Sequence, residues 1–66
     1  MISSSEAKKI ASKYIEEAGA TADTPQLINQ EGKMIYIVPI MYNGQSAGEI
    51  DIDAKTGENL GGAGGV

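Results

Sequence analysis

The segment that most constrains the fold is the apolar run 34–42, which is rich in Ile, Val and Tyr. A run of this length and composition, bounded by turn residues, is typical of a β-strand. Glu31-Gly32 precedes it and Asn43-Gly44 follows it, and both dipeptides favour tight turns. The flanking segments 27–30 and 48–53 are therefore predicted to pair with this central strand as an antiparallel meander.

A helix is predicted before the sheet, at residues 4–18. Ser3, followed three residues later by Glu6, has the spacing of a capping box, and Ile2 is placed to pack on Ala7. Gly19 fits the left-handed position that ends a helix. The apolar stripe of this helix consists of Ala7, Ile10, Ala11, Tyr14, Ile15 and Ala18. The predicted fold class is α+β, with one N-terminal amphipathic helix packed on a three-stranded antiparallel meander sheet.

The turn at Asn43-Gly44 decides which face of the sheet the helix covers. A two-residue loop places Ile50 opposite Ile37, whereas a three-residue loop that includes Gln45 places Ile50 opposite Val38. A slip of one residue exchanges the two faces. We favour the three-residue loop, with Gly44 in the left-handed position of a bulged turn.

This register gathers one continuous apolar face under the helix. The predicted core is then Tyr14, Ile15, Tyr36, Val38, Ile40, Ile50 and Ile52. The alternative register, with Ile35, Ile37 and Met41 under the helix, is nearly as apolar. Pro39 lacks a ladder donor, and pairing Leu27 with Tyr36 lets Pro39 face past the end of the first strand.

The second face of the predicted sheet carries an apolar band beside a row of carboxylates. A one-layer sheet normally shows polar residues on its open face, and contiguous exposed apolar groups mark interaction surfaces. The alternative is poor patterning in a small protein. We predict a protein-binding surface formed by Ile28, Ile35, Ile37, Pro39, Met41, Glu49, Asp51 and Asp53.

Composition excludes several classes of function. The chain has 66 residues, a net charge of −4, and neither Cys nor His. The missing Cys and His rule out the usual zinc ligand sets, and the negative charge argues against a nucleic-acid partner. No apolar run is long enough for a membrane span. We therefore expect no enzyme activity, no catalytic residues and no cofactor.

The acidic row and the glycine-rich end each resemble a known motif only in part. The segment that begins at Asp51 starts like a calcium loop, but Lys55 and Gly62 stand where further ligands belong. A solvated strand face is the better interpretation, so no metal site is predicted. Residues 1–60 are predicted to form one domain and residues 61–66 a flexible Gly-rich tail. A ubiquitin-like modifier tail is disfavoured, because such folds begin with a hairpin.

Three segments of the sequence together carry a family resemblance: Ile2-Ser3 with Glu6-Ala7 and Ile10-Ala11, Gly32-Lys33 with Tyr36, Val38 and Ile40, and Ile52-Asp53-Ala54-Lys55-Thr56-Gly57-Glu58 with Leu60. In this order they resemble the PepSY domain. The resemblance covers residues 2–60 and implies a helix on a short antiparallel sheet. It also implies a role in binding and restraining a peptidase or hydrolase, as in propeptides of thermolysin-like metalloproteases and in the YpeB germination protein.

Two departures from the family pattern bear on function. Ile37 and Pro39 stand where relatives more often place polar residues, which makes the open face unusually apolar. The family is mostly exported, whereas this sequence shows no signal peptide, so a cytoplasmic location is the default expectation. An extracellular location is expected if the chain is excised from a longer exported protein. Two functions stay open: an inhibitory module for a peptidase or cell-wall hydrolase, and a homodimeric structural protein.

Overall fold

The computed structural model describes residues 1–62 and places one helix beside an antiparallel sheet. The α+β class is confirmed, but the sheet has five strands where the sequence predicted three. In chain order the elements are α1 (Ser4–Ser12), β1 (Thr21–Ala22), β2 (Gln26–Gln30), β3 (Lys33–Tyr42), β4 (Gln45–Asp53) and β5 (Asn59–Gly61). β1 and β2 both pair with one side of β3, β4 pairs with the other side, and β5 pairs with β4.

The helix begins as its capping sequence predicts. The Glu6 backbone N–H donates to Ser3 Oγ over 3.1 Å, and the Ser3 backbone N–H donates to Glu6 Oε1 over 2.9 Å. The pKa of Glu6 lies below its usual range, chiefly because its carboxylate accepts the hydrogen bond from the Ser3 backbone. Ile2 and Ala7 both pack in the core, as a hydrophobic staple requires.

The helix ends earlier than predicted, at Ser12 rather than at residue 18. Ser12 Oγ donates to the Lys8 carbonyl, a back-bond that disfavours continuation of a helix. The next backbone bonds, from Lys13 to Ile10 and from Tyr14 to Ala11, span three residues and tighten the last turn. The prediction of a buried Tyr14 is therefore wrong, since its side chain is 52% exposed.

The register between β3 and β4 is the predicted one, but a β-bulge produces it and not the length of the turn. Val38 lies opposite Ile50 and Tyr36 opposite Ile52. The predicted three-residue loop is wrong: Tyr42 pairs with Gln45, and Asn43 and Gly44 alone form the turn, both with positive φ.

The extra residue lies further along β4. Met41 pairs with Ser46 and Ile40 with Gly48, so Ala47 is unpaired in a β-bulge. Gly48 has a φ of 146°, which only glycine adopts readily. The bulge shifts the register by one residue and returns Ile50 and Ile52 to the helix side.

The two strands that sequence patterning missed are short and lie at the sheet edges. β1 and β2 lie in line along the same side of β3 and are joined by an irregular connection. In this connection the Asp23 N–H donates to the Pro39 carbonyl over 2.8 Å. β2 ends at the pair of Gln26 with Ile37. Pro39 therefore faces past the end of β2, as predicted. Because no residue of β2 is paired with it, its missing N–H deprives no carbonyl of β2 of a donor.

The core lies between α1 and one face of the sheet. Val38 and Ile52 are fully buried, and α1 contacts β1, β3 and β4. Tyr36 also lies in this core, and its hydroxyl donates to the Ile2 carbonyl over 3.1 Å. The other core residues are Ala7, Ala11, Ala22 and Ala54, with Ile2, Ile10, Ile15, Met34 and Ile50 packed partly buried against them. Leu60 is half-buried in β5.

The predicted tail, residues 61–66, falls mostly outside this description. Gly61 belongs to β5 and pairs with Asp51. A Cβ added at Gly62 would overlap the Glu49 carbonyl oxygen, so the chain runs close against β4 here. Residues 63–66 lie outside the described residues.

Candidate interaction surface

The sheet has one face that α1 does not cover, which we call the helix-free face. Its members alternate with the core residues of β3 and β4, because successive side chains of a strand point to opposite faces. Cross-strand pairs join Ile28 to Ile35, Ile35 to Asp53, and Ile37 to Asp51. Pro39 lies opposite Glu49, and Met41 lies opposite Ser46. The register therefore brings together on one face the residues that the sequence analysis selected.

One end of the helix-free face is occupied by contacts within the chain. Ile35 is only 6% exposed, between Ile28 and Asp53. Lys33 Nζ lies 3.7 Å from Asp53 Oδ2, so an ion pair borders Ile35 on this face. Ile35 and Asp53 therefore offer little surface to a partner, although the sequence analysis included both in the binding surface.

Asp53 has a structural task in the turn between β4 and β5. Its Oδ1 accepts the Lys55 N–H over 2.8 Å and the Thr56 N–H over 3.3 Å. Its carbonyl accepts the Gly57 N–H over 2.8 Å. The hydrogen bond from the Lys55 backbone lowers the pKa of Asp53, with smaller contributions from Thr56 and Lys33. The Asp-Ala-Lys-Thr-Gly segment is thus explained by turn chemistry.

The remaining part of the helix-free face is partly exposed to solvent. Ile28, Ile37, Pro39 and Met41 are each partly buried, and within residues 1–62 the single helix packs on the opposite face of the sheet. We call these four residues, together with Glu49 and Asp51, the apolar-acidic patch.

The two carboxylates of the patch are mutually unfavourable neighbours. Glu49 and Asp51 lie two residues apart on β4 and point to the same face. A protonated Glu49 donates a hydrogen bond to Asp51, and this bond raises the pKa of Glu49, as do partial desolvation and the charge of Asp51. When both groups are ionised neither can donate. Asp51 Oδ1 is buried without a hydrogen-bond partner in the described part of the chain.

A buried acceptor without a donor is costly. A cationic group placed over Glu49 and Asp51 would relieve the repulsion between the two charges. The apolar-acidic patch therefore favours a partner that presents a Lys or Arg side chain next to apolar groups.

Within residues 1–62 no group of three or more acidic side chains is arranged to hold a metal ion. The one described helix is too short and too polar to cross a membrane. An open depression at the hairpin end of the sheet is lined by Lys33, Met34, Asp53 and Lys55, and it contains the ion pair described above.

Comparison with known proteins identifies a family. The family model "PepSY: Peptidase propeptide and YPEB domain" matches residues 1–62. No curated protein sequence and no solved structure matches the chain significantly. The match spans the helix, every strand of the sheet and the Asp53 turn.

Proposed function

The chain belongs to the PepSY family, and we propose that it is a non-enzymatic module that binds and restrains a peptidase or a cell-wall hydrolase through its helix-free face. PepSY domains are in general propeptide or inhibitory modules that bind proteins and have no catalytic role. The observation that carries the proposal is the apolar-acidic patch, in which four apolar side chains adjoin two unneutralised carboxylates.

The chemistry of the patch specifies the partner. Ile37 lies between Gln26 of β2 and Asp51 of β4, near the middle of the sheet. An apolar group seated on Ile37 and Pro39 would be desolvated, as the centre of a binding site requires. A basic group beside it would pair with Glu49 and Asp51 and add to the association rate. We therefore propose an extended segment or flat surface with adjacent apolar and basic side chains.

The size of the domain requires that most of this face be used. A stable complex buries about 800 Å² on each partner. The principal extents of the domain are 33 × 19 × 16 Å, so the face can supply such an area only if the partner covers most of it.

A homodimer formed through the same face is the second candidate function. The apolar members of the patch favour it, since they suit a second copy as well as a target. The carboxylates oppose it, because a second copy would bring two further acidic groups into the interface of a chain whose net charge is −4. Like charges in an interface cost several kcal/mol. We therefore place the hydrolase-binding role first.

The proposal is tested by affinity capture of a target, followed by an assay of whether the chain inhibits it. The chain and the variant Ile37→Lys are used to capture proteins from lysate and culture medium of the source organism. Ser12→Lys is the control, because it adds the same charge at an exposed position of α1. We expect wild type and Ser12→Lys, but not Ile37→Lys, to retain a peptidase or cell-wall hydrolase whose purified activity falls when the chain is added. Retention by all three proteins, or a captured hydrolase that stays fully active, would contradict the proposal.

A further inference from the structure

A second surface, which adjoins the helix-free face at Ile28, lies along the outer edge of β2. In the described part of the chain β2 has one strand neighbour, β3. An unpaired strand edge is a template for another strand, and proteins usually block it with Lys, Pro or a bulge. The five residues of β2, Gln-Leu-Ile-Asn-Gln, contain none of these. The opposite edge consists of β5, which has three residues and a register shift, and of the part of β4 that β5 does not cover, which contains the β-bulge at Ala47. Shortness and irregularity therefore protect this edge.

The register identifies the backbone groups that the edge exposes. The Asp23 N–H donates to the Pro39 carbonyl, and the Ala54 N–H donates to the Met34 carbonyl. Odd-numbered residues of β3 therefore direct their backbone groups toward β2, and even-numbered residues direct theirs toward β4. The β2 residues paired with odd-numbered residues are bonded to β3, which leaves the N–H and C=O groups of Leu27 and Asn29 pointing outward.

We propose that the edge of β2 pairs with the same edge of a second copy of this chain, antiparallel about a two-fold axis at Ile28. This register places Leu27 opposite Asn29 of the second copy, and Asn29 opposite Leu27. Each of these two pairs exchanges both of its backbone hydrogen bonds, so every outward group of the edge is used.

The side chains of β2 suit this arrangement on both faces of the sheet. Ile28 meets Ile28 of the second copy on the helix-free face. On the other face Leu27 is 39% exposed, because α1 packs chiefly on β1, β3 and β4. In the two-fold register the two Leu27 side chains lie diagonally across the junction, within reach of each other.

Charge favours the edge over the helix-free face as the contact between copies. β2 contains no ionisable residue, and in this register Gln26 lies opposite Gln30 of the second copy. The carboxylates of Glu49 and Asp51 lie on β4, across β3 from the junction. A strand pair this short buries less than the roughly 1,200 Å² of a stable complex, so the dimer should be weak and depend on concentration. It would join the two helix-free faces into one continuous surface.

This inference does not rest on the proposed hydrolase-binding role, and the protein alone tests it. We expect sedimentation equilibrium between about 10 µM and about 1 mM to show a monomer–dimer equilibrium, with a dimer of twice the 6.8 kDa monomer mass. Leu27→Pro removes the outward N–H and no ladder bond to β3, so it should abolish the dimer. Leu27→Ala keeps the N–H and controls for the lost side chain, and it should still dimerise.

Cross-linking tests the register, and it remains decisive if Leu27→Pro does not fold. The chain has no Cys, so a single introduced Cys has one possible partner. Directly opposite Cα atoms at a non-hydrogen-bonded pair are about 4.5 Å apart, within disulfide range. Ile28→Cys should therefore oxidise rapidly to a covalent dimer, and Leu27→Cys, whose equivalent lies on the diagonal, should do so slowly. A wild-type protein that stays monomeric to 1 mM, or equal cross-linking of the two variants, would overturn the proposal.

Discussion

Ile37 lies directly opposite Asp51 on the face of the sheet that the helix leaves uncovered. An apolar side chain at the middle of the central strand thus adjoins a carboxylate that has one buried oxygen without a partner. Neither feature benefits an isolated domain, because exposed apolar surface and unpaired buried acceptors both reduce stability. The proposed partner would cover Ile37 and bring a positive charge next to Asp51.

The core assignment predicts a difference between two isoleucines. Ile52 is fully buried beneath α1, whereas Ile15 lies beyond the end of α1 and is partly exposed. We expect Ile52→Ala to lower the free energy of unfolding by about 2–5 kcal/mol. Ile15→Ala should lower it by only about 1 kcal/mol, since half-burial gives a fraction of the transfer free energy. Urea unfolding of the two variants measures both values, and an equal or larger loss for Ile15→Ala would contradict the core described here.

The turn at Asp53 predicts a stability difference that depends on pH. The hydrogen bond from the Lys55 backbone, with that from the Thr56 backbone and the nearby charge of Lys33, lowers the pKa of Asp53 in the folded chain. A lowered folded-state pKa means that the ionised group stabilises the fold above its unfolded pKa of about 3.9, and that this contribution is lost as pH falls through the folded pKa. Asp53→Asn should therefore unfold more readily than wild type at pH 7. The gap between them should narrow below about pH 4, and a gap that is constant with pH would be inconsistent with this role.

The opposite sign is expected at Glu49. A hydrogen bond from protonated Glu49 to Asp51, together with desolvation and the charge of Asp51, raises its pKa. The ionised form therefore destabilises the fold above the folded pKa, and this cost disappears below the unfolded pKa of about 4.3. Glu49→Gln should raise the thermal midpoint at pH 7 and leave it nearly unchanged at about pH 3.

Glu16→Gln is the matched control for this prediction. It removes the same charge from the chain at an exposed position between α1 and β1. Thermal unfolding followed by circular dichroism compares the two variants. If Glu49→Gln and Glu16→Gln shift the midpoint equally at pH 7, the effect is one of net charge and does not come from the carboxylate pair.

The parts of the fold that the sequence predicted are those fixed by local chemistry. Ser3 and Glu6 form the capping box, and Glu31-Gly32 forms the first turn, because each needs only residues close together in the chain. A turn at Asn43-Gly44 was predicted as well, but its length was not. β1 and β5 were missed because strands of two and three residues are too short for a hydrophobic pattern. The bulge at Ala47 did leave a signal, since a glycine within a strand, here Gly48, often marks a bulge.

The candidate surface was predicted from alternation along the strands, and alternation does report which residues share a face. It cannot report how far each of them is covered. Ile35 is buried. The Asp53 carboxylate is occupied because Lys33 of the neighbouring strand forms an ion pair with it and the Lys55 backbone N–H, in the turn after β4, donates to it. These contacts depend on side-chain reach in three dimensions. The sequence therefore predicted the composition of the face, but not which part of it is free.

The most direct test of the central claim is the affinity of the captured hydrolase for three proteins: wild type, Ile37→Lys and Ser12→Lys. Isothermal titration calorimetry gives each dissociation constant, and thermal unfolding shows that each chain is folded. Lys at position 37 replaces the apolar centre of the patch and can pair with Asp51 within the chain, so it removes both features offered to the partner. We expect Ile37→Lys to bind at least about 30-fold more weakly, as for a residue at the centre of an interface, and Ser12→Lys to bind as wild type does. Equal affinities for three folded proteins would contradict the assignment of the helix-free face as the binding surface.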